Sequence, residues 1–353
     1  MEIKRDCIHF KGDIPCSPHK EKGYHCAQCP EYKPIENKIL IIKLGAMGDV
    51  IRTTPLLHRI WKEFPDSDIW WLTYFPEILP SSINNVLDYS VESMNLLYAM
   101  DFDLIINLDK DPHACGLTKM LNSQEKMGFI LRSGKPLNID NNSKHKFLTG
   151  IFDDVNKENT KSYPEEIFQI CGWEFQGEEY ILECDDSYEW DIPSSEEKII
   201  GLNTGCGARW VSRLWPEEKW ETLIKLLTDA GYFPILLGGE QEHEKNLRLS
   251  SRVGAFYPGT FPLKQFISLM DQCDLIVTGV TMALHIAIGL KKNVVLMNNI
   301  FNPNEFELYG RGEIVEPDKE CKCFFRPDCI NVEYRCMEHL PAEKIFEAVK
   351  RQV

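Results

Sequence analysis

The sequence predicts an α/β fold of two Rossmann-like, parallel-sheet domains facing a central cleft, on three observations. Short apolar runs such as Ile39-Leu40-Ile41-Ile42 and Leu275-Ile276-Val277 have the pattern of strands buried on both faces. Segments of helical pattern that open on a proline separate such runs, as at Thr54-Pro55 and Pro216. The scheme starts afresh at Ile199-Ile200-Gly201-Leu202-Asn203, after a polar stretch over 185–198. Strands alternating with helices imply parallel sheets with helices on both faces.

Element by element, strands are expected at 39–42, 68–73 and 104–108 in the first half, with a helix opening near Thr54-Pro55. In the second half strands fall at 199–203, 234–237, 275–277 and 294–297. Between them lie helices over 216–230, closed by Gly231, over 263–272 and over 283–290. These runs set the expected boundaries: a Cys-rich N-terminal extension (1–36), an N-terminal domain (37–192), a C-terminal domain (193–340) and a last helix (341–353).

At 353 residues the chain has the length of two domains, each with a real core. A composition 43% hydrophobic and 26% charged excludes disorder and collagen-like repeats. The net charge of -15 argues against a protein that tracks nucleic-acid phosphates and gives no general attraction to an anionic membrane. At most peripheral membrane contact is expected. The first residues, Met1-Glu2-Ile3-Lys4-Arg5-Asp6, lack the apolar stretch of a signal peptide, so the cytoplasm is the expected compartment. There, thirteen cysteines read as thiols or metal ligands rather than disulfides.

Four loops follow strands and could carry chemistry, because ligands of open parallel sheets bind at the strands' carboxyl ends. The first, Lys43-Leu44-Gly45-Ala46-Met47-Gly48-Asp49, either delivers the Asp49 carboxylate to the cleft or uses it to cap a helix. In the second, Thr204, Gly205, Arg209 and Arg213 precede a helix. Hydroxyl, glycine and guanidinium at a helix N-terminus suit a diphosphate, although two solvated arginines would look the same. The third, Gly238-Gly239-Glu240, offers a carboxylate for ribose hydroxyls or a charge favoured by the helix dipole. The fourth, Gly279-Val280-Thr281-Met282-Ala283-Leu284-His285, sets a glycine turn at a helix start, with His285 as site residue or core histidine.

Together, Gly48-Asp49, 101–109 with Met127-Gly128-Phe129, Arg213-Leu214-Trp215-Pro216, Gly238-Gly239-Glu240, 281–287 and a Cys-rich tail over 321–337 resemble glycosyltransferase family 9, the ADP-heptose:lipopolysaccharide heptosyltransferases of GT-B fold. The resemblance runs from Lys38 to the end of the chain. It implies inverting transfer of a heptose-type sugar from a nucleotide donor to a glycan or lipopolysaccharide-type acceptor. Residues 37–192 would then be the acceptor domain and 193–340 the nucleotide-sugar domain, with helix 341–353 crossing back to the former. Asp49 matches the general base, and Arg213 the group that neutralises the departing diphosphate. Gly48 and Arg52 fall on the acceptor side. Glu240 matches the acid on the donor ribose, and Phe261 and Leu263 fall where the adenine edge is held. Thr204, Gly205, Arg209, Thr281, Met282, Ala283 and His285 complete the donor side.

No catalytic metal is expected, the cleft loops being read as free of an Asp-x-Asp motif. One departure stands out: where the family has an aspartate and a glycine, this chain has Val280 and Met282. That leaves open another nucleotide sugar, including an epimerase's, or a catalytically degenerate protein with a role in assembly; an oligomer fits each.

The cysteines crowd both ends. Cys26-x-x-Cys29 has the spacing of half a zinc knuckle, which Cys7 and Cys16 would complete. Cys321, Cys323, Cys329 and Cys336 form a second, looser tetrad. A structural zinc or iron suits either set, against free thiols or a disulfide for the second.

Overall fold

The computed structural model describes residues 2–193, 196–207 and 210–353. The first half runs α1 (Ser17–Lys22), β1 (Asn37–Ile42), α2 (Met47–Ile51), α3 (Leu56–Glu63), β2 (Ser67–Thr73), β3 (Asn85–Asp88), α4 (Val91–Tyr98), β4 (Asp101–Asn107), α5 (Pro112–Met120), β5 (Asn122–Arg132), β6 (Lys135–Asn138), α6 (Asn141–Thr149), α7 (Asp153–Glu158) and α8 (Tyr163–Ile170). The second half runs β7 (Ile199–Asn203), α9 (Glu217–Asp229), β8 (Phe233–Leu237), α10 (His243–Val253), α11 (Leu263–Asp271), β9 (Leu275–Gly279), α12 (Met282–Gly289), β10 (Asn293–Met297), β11 (Gly312–Val315) and α13 (Ala342–Gln352).

Two compact units result. The first comprises Met1–Gly45, Pro55–Phe147 and Ile167–Glu174; the second comprises Ala46–Thr54, Leu148–Glu166 and Phe175–Val353. Short helix α2, early in sequence, therefore belongs by its contacts to the second unit.

The first unit is built on a sheet of order β3-β2-β1-β4-β5-β6, parallel except for the β5–β6 hairpin. Its centre is β1, where Ile39 to Ile42 are fully buried, as the unbroken apolar run requires. Leu40 and Ile42 share a cluster with Leu72, Phe102, Ile105 and, from α5, Ala114 and Leu117.

The second unit has an all-parallel sheet of order β11-β10-β9-β7-β8. Against it α9 buries Leu223, Ile224 and Leu227, each stabilising by roughly 1.5–3 kcal/mol. Helix α13 is anchored within the second unit. Ile345, Ala348 and Val349 form one apolar stripe, and that stripe packs on α9, β10 and β11 of its own unit, in one cluster with Leu223 and Val295. Helix α12 is apolar on every side and is covered accordingly, by β9, β10, α11 and α2.

Candidate functional site

In the second unit the loops after β7, β8 and β9 and the short helix α2 bring most of the candidate residues together. After β7, Asn203 donates to Thr278 and Thr281 hydroxyls at 3.0 and 3.2 Å and so ties two strand ends. Thr204 is buried, and its hydroxyl donates to Asn246 at 2.6 Å. Gly205 lies against Glu242 so closely that a Cβ would meet the carboxylate at 2.1 Å. Arg209 lies outside the described residues.

Arg213 ends a 3-10 turn over Val211–Arg213. Its guanidinium donates to the carbonyls of Val280 and, at 2.8 Å, Cys206, and stands over the rings of Trp210 and Phe301 at 5.6 and 5.5 Å. Its Nε is buried without a hydrogen-bond partner. Burial pushes the guanidinium down to about 10, still a cation at neutral pH. At position 280 the contact to Arg213 is through the backbone oxygen and does not depend on the side chain that departs from the family pattern.

Directly beyond, Thr281 caps α12 by accepting from the Ala283 N–H at 3.2 Å, which leaves Met282 and Ala283 in the first turn. Three residues into the helix stands His285, buried and stacked on Tyr180 at 6.2 Å. Burial, and then the Arg52 cation, push His285 down to about 3, so it is neutral; its Nδ1 is buried without a partner. Gly48 of α2 lies against the same imidazole, and a Cβ there would meet His285 Cδ2 at 2.5 Å.

The neighbour of Gly48, Asp49, is a third exposed at its side chain. It pairs with Arg52 at 2.8 Å and accepts from the Ala46 N–H at 3.3 Å. Arg52 is nearly enclosed, its guanidinium 3.4 Å from the centre of the Tyr163 ring. Burial works against its charge, but Asp49, Tyr163 and Glu305 outweigh that and hold it above its ordinary value.

After β8, Glu240 is exposed and accepts from the Thr260 hydroxyl at 2.6 Å. That bond holds the β8 end beside the segment of Phe261, which packs on Trp190 at 4.8 Å, and Leu263, which opens α11. Sequence inspection missed Glu242, Lys245 and Asn246. Lys245 donates to the Thr204 carbonyl at 2.6 Å and is held below its ordinary value by burial; Glu242 accepts from the Gly239 N–H at 3.1 Å. Their signal was the spacing i, i+3, i+4 on one face of a polar helix.

An Asp-x-Asp sequence, Asp109-Lys110-Asp111, does follow β4 in the first unit, contrary to expectation. Its carboxylates are engaged internally: Asp109 accepts from Lys43 and the Leu44 and Gly45 N–H groups, and Asp111 caps α5.

All cysteines have free thiols. Cys7, Cys16, Cys26 and Cys29 line one cavity of about 30 Å³. In the tail, Cys323 donates to Cys329 at 3.5 Å, and the N–H groups of Cys323 and Ile330 donate to Cys321 and Cys323 sulfurs. Hydrogen bonds from Cys321 and Asn299 pull the Cys336 thiol below its ordinary value. Among the described residues, the group with three ligand atoms within 4.8 Å of one another is Cys184, Asp186 and Asp271; neither cysteine tetrad brings three sulfurs that close.

Two parallel-sheet α/β domains of this kind define the GT-B class of fold. A glycosyl transferase family 9 structure from Veillonella parvula DSM 2008 aligns with TM-score 0.69 at 17% identity, over 90% of this chain and 97% of that one. The E. coli ADP-heptose lps heptosyltransferase II aligns at 0.63 and 16%, over 89% and 98%.

The chain belongs to glycosyltransferase family 9 (heptosyltransferase), whose family model matches residues 94–331. Lipopolysaccharide heptosyltransferase 2 of Escherichia coli (strain K12) is 27% identical over 118 residues, 31% of this chain and 34% of that protein. The matched segment thus spans about a third of that curated relative. Among the described residues, no helix is long and apolar enough to cross a membrane.

Proposed function

We propose that the protein is a cytoplasmic, inverting glycosyltransferase that moves a heptose-type sugar from a nucleotide donor such as ADP-heptose to a glycan of the lipopolysaccharide type. The observation that carries this is the convergence on α12. Arg213 is bonded to the residue before its cap, and Gly48, next to Asp49, is packed on His285 one turn inside it.

In this reading Asp49 takes the proton of the acceptor hydroxyl as its oxygen attacks the anomeric carbon. The C–O bond to the nucleoside diphosphate breaks on the opposite face, which inverts the configuration. The bond electrons leave with the diphosphate, toward Arg213, Lys245 and the N–H groups opening α12, which supply positive charge where negative charge develops. Those groups support transfer without a divalent cation. Arg52 orients Asp49 through their ion pair. Glu240 and the Phe261–Leu263 segment take ribose and base in this reading, which the Thr260 bond joining them supports.

A structural zinc or iron at the tail cysteines belongs to the same reading. In the tail, three N–H donors aimed at sulfur support Cys321, Cys323, Cys329 and Cys336 as thiolate ligands. A second reading, transfer from a different nucleotide sugar, is favoured by Val280, which offers an apolar side chain where the family has a carboxylate.

The test is a panel of ADP-, GDP- and UDP-sugars, with and without acceptor glycan, read by nucleoside diphosphate release and by NMR of the anomeric configuration. ADP-heptose turnover with inversion supports the proposal. Turnover of another donor alone selects the second reading, and no turnover of any donor or shift in melting temperature with any nucleotide overturns both.

A further inference from the structure

The N-terminal segment is held by little that is conventional. Within residues 2–36 the regular structure is α1, a 3-10 turn over Cys26–Gln28 and an isolated bridge between Cys7 and Pro34. Fewer than about 40 residues rarely bury enough apolar surface to hold a shape; disulfides or a metal usually make up the difference. No disulfide is present, and all four cysteines of the segment are free thiols. Yet Cys7, Cys16 and the Cys26–Cys29 turn, three separate places in the segment, line the same cavity of about 30 Å³, with His9 and Phe10 beside them. A volume of that order holds one small guest.

We propose that these four cysteines form a tetrathiolate site for one soft divalent cation, zinc or ferrous iron, that fastens the N-terminal segment. The donor chemistry fits. Four sulfurs with no open position are the ligand set of a structural site. The turn carrying Cys26 and Cys29, closed by N–H bonds from Gln28 to His25 and from Cys29 to Cys26, presents both sulfurs from one short loop. The segment's two ends are already anchored. Ile35 donates to the Asp6 carbonyl at 2.7 Å, Glu36 to that of Asp66 at 2.9 Å, and Lys33 pairs with Asp66 at 3.1 Å. The stretch between has no disulfide, and the cavity lies there, lined also by the buried Pro18.

In a tetrahedral site with metal–sulfur bonds near 2.3 Å the sulfurs stand roughly 3.8 Å apart. No three of these sulfurs lie within 4.8 Å of one another, so binding draws the thiols inward and releases their protons. The ordering is local to residues 2–36 and does not depend on the transferase reading.

The experiment is metal analysis of the full chain purified under reducing, chelator-free conditions, beside the double variant Cys26→Ser/Cys29→Ser. The tail variant Cys323→Ser/Cys329→Ser reports the other tetrad separately. Metal content falling by one equivalent in the first variant supports the site, and the element lost, zinc or iron, identifies the cation. Chelation of the wild-type protein should then open residues 2–36 to protease while the body stays resistant. Should the Ser variant be insoluble, cobalt titration of the metal-stripped wild-type chain replaces it, read by a thiolate-to-cobalt charge-transfer band. Unchanged metal content in the first variant, or no such band and no change in proteolysis of the segment, overturns the proposal.

Discussion

Gly48 and His285 meet so closely that the site admits no side chain on the first: a Cβ would stand 2.5 Å from the imidazole Cδ2. This contact joins α2, which carries Asp49, to α12, which carries the Thr281 cap. Two helices far apart in sequence are thereby set in one register, and the position of Asp49 follows from that contact.

Gly48→Ala tests it with a sign reversal. In a helix, Ala is favoured over Gly by up to about 1 kcal/mol. Against His285 the added methyl should instead overpack, costing about 1–3 kcal/mol. In a His285→Ala background the same substitution should become neutral or stabilising. Chemical denaturation of the four proteins closes the cycle. A destabilisation by Gly48→Ala that persists without His285 would refute the contact as its cause.

Much of this arrangement was legible in the sequence. The Ile199–Asn203 strand is met residue for residue, and α9, α11 and α12 begin and end within a residue of expectation, because proline starts and apolar runs mark them. The β5–β6 hairpin was not legible: Asn122–Lys126 is polar, and the apolar run that follows, Phe129-Ile130-Leu131, is only three residues long. Nor was the ion-pair setting of Asp49. Arg52 lies three residues on, but the Tyr163 ring that carries its guanidinium is more than a hundred residues away. Lys245 and Asn246 lie in a polar stretch for which no element was expected, and only the fold turns them onto the Thr204 backbone and hydroxyl.

Asp49→Asn keeps the shape and removes the carboxylate. Turnover should fall by roughly 10²- to 10⁴-fold, the usual contribution of a general base, with nucleoside diphosphate affinity changed less than threefold. Arg52→Lys should fall between, since an ammonium keeps the charge but cannot lie flat on Tyr163 while pairing with Asp49. Steady-state kinetics beside calorimetry separates the two effects. Near-wild-type turnover by the Asn variant would remove Asp49 from the mechanism.

His285 makes stability depend on pH. Its folded value is pushed from 6.5 to about 3, so folded and unfolded chains are both neutral there above pH 6.5. Between 6.5 and 3 the unfolded chain takes up a proton that the folded one refuses. Stability is therefore full above 6.5 and falls on acidification, by at most about 1.4 kcal/mol per pH unit. The melting temperature should drop from pH 7 to pH 5, and His285→Gln should lose that part of the drop. Parallel curves for the two proteins would show that other groups carry it.

Arg213 is positioned by the tail, and this can be measured apart from its charge. The Asn299 amide donates to the Ser212 carbonyl at 3.0 Å and to the Cys336 sulfur at 3.3 Å; the Ser212 N–H and hydroxyl donate in turn to the carbonyls of Pro327 and Arg326. Arg213→Ala deletes the charge-assisted bonds to a diphosphate and should weaken nucleoside diphosphate binding by about tenfold to a hundredfold, roughly 1.4–2.7 kcal/mol. Asn299→Ala leaves the guanidinium in place and loosens the turn beneath it, so a loss of about threefold to tenfold is expected. Raising the salt concentration should weaken wild-type and Asn299→Ala binding alike, and Arg213→Ala binding less, because that variant has lost the screened charge. An Asn299→Ala protein that binds as tightly as wild type would show that the Asn299 amide does not position Arg213.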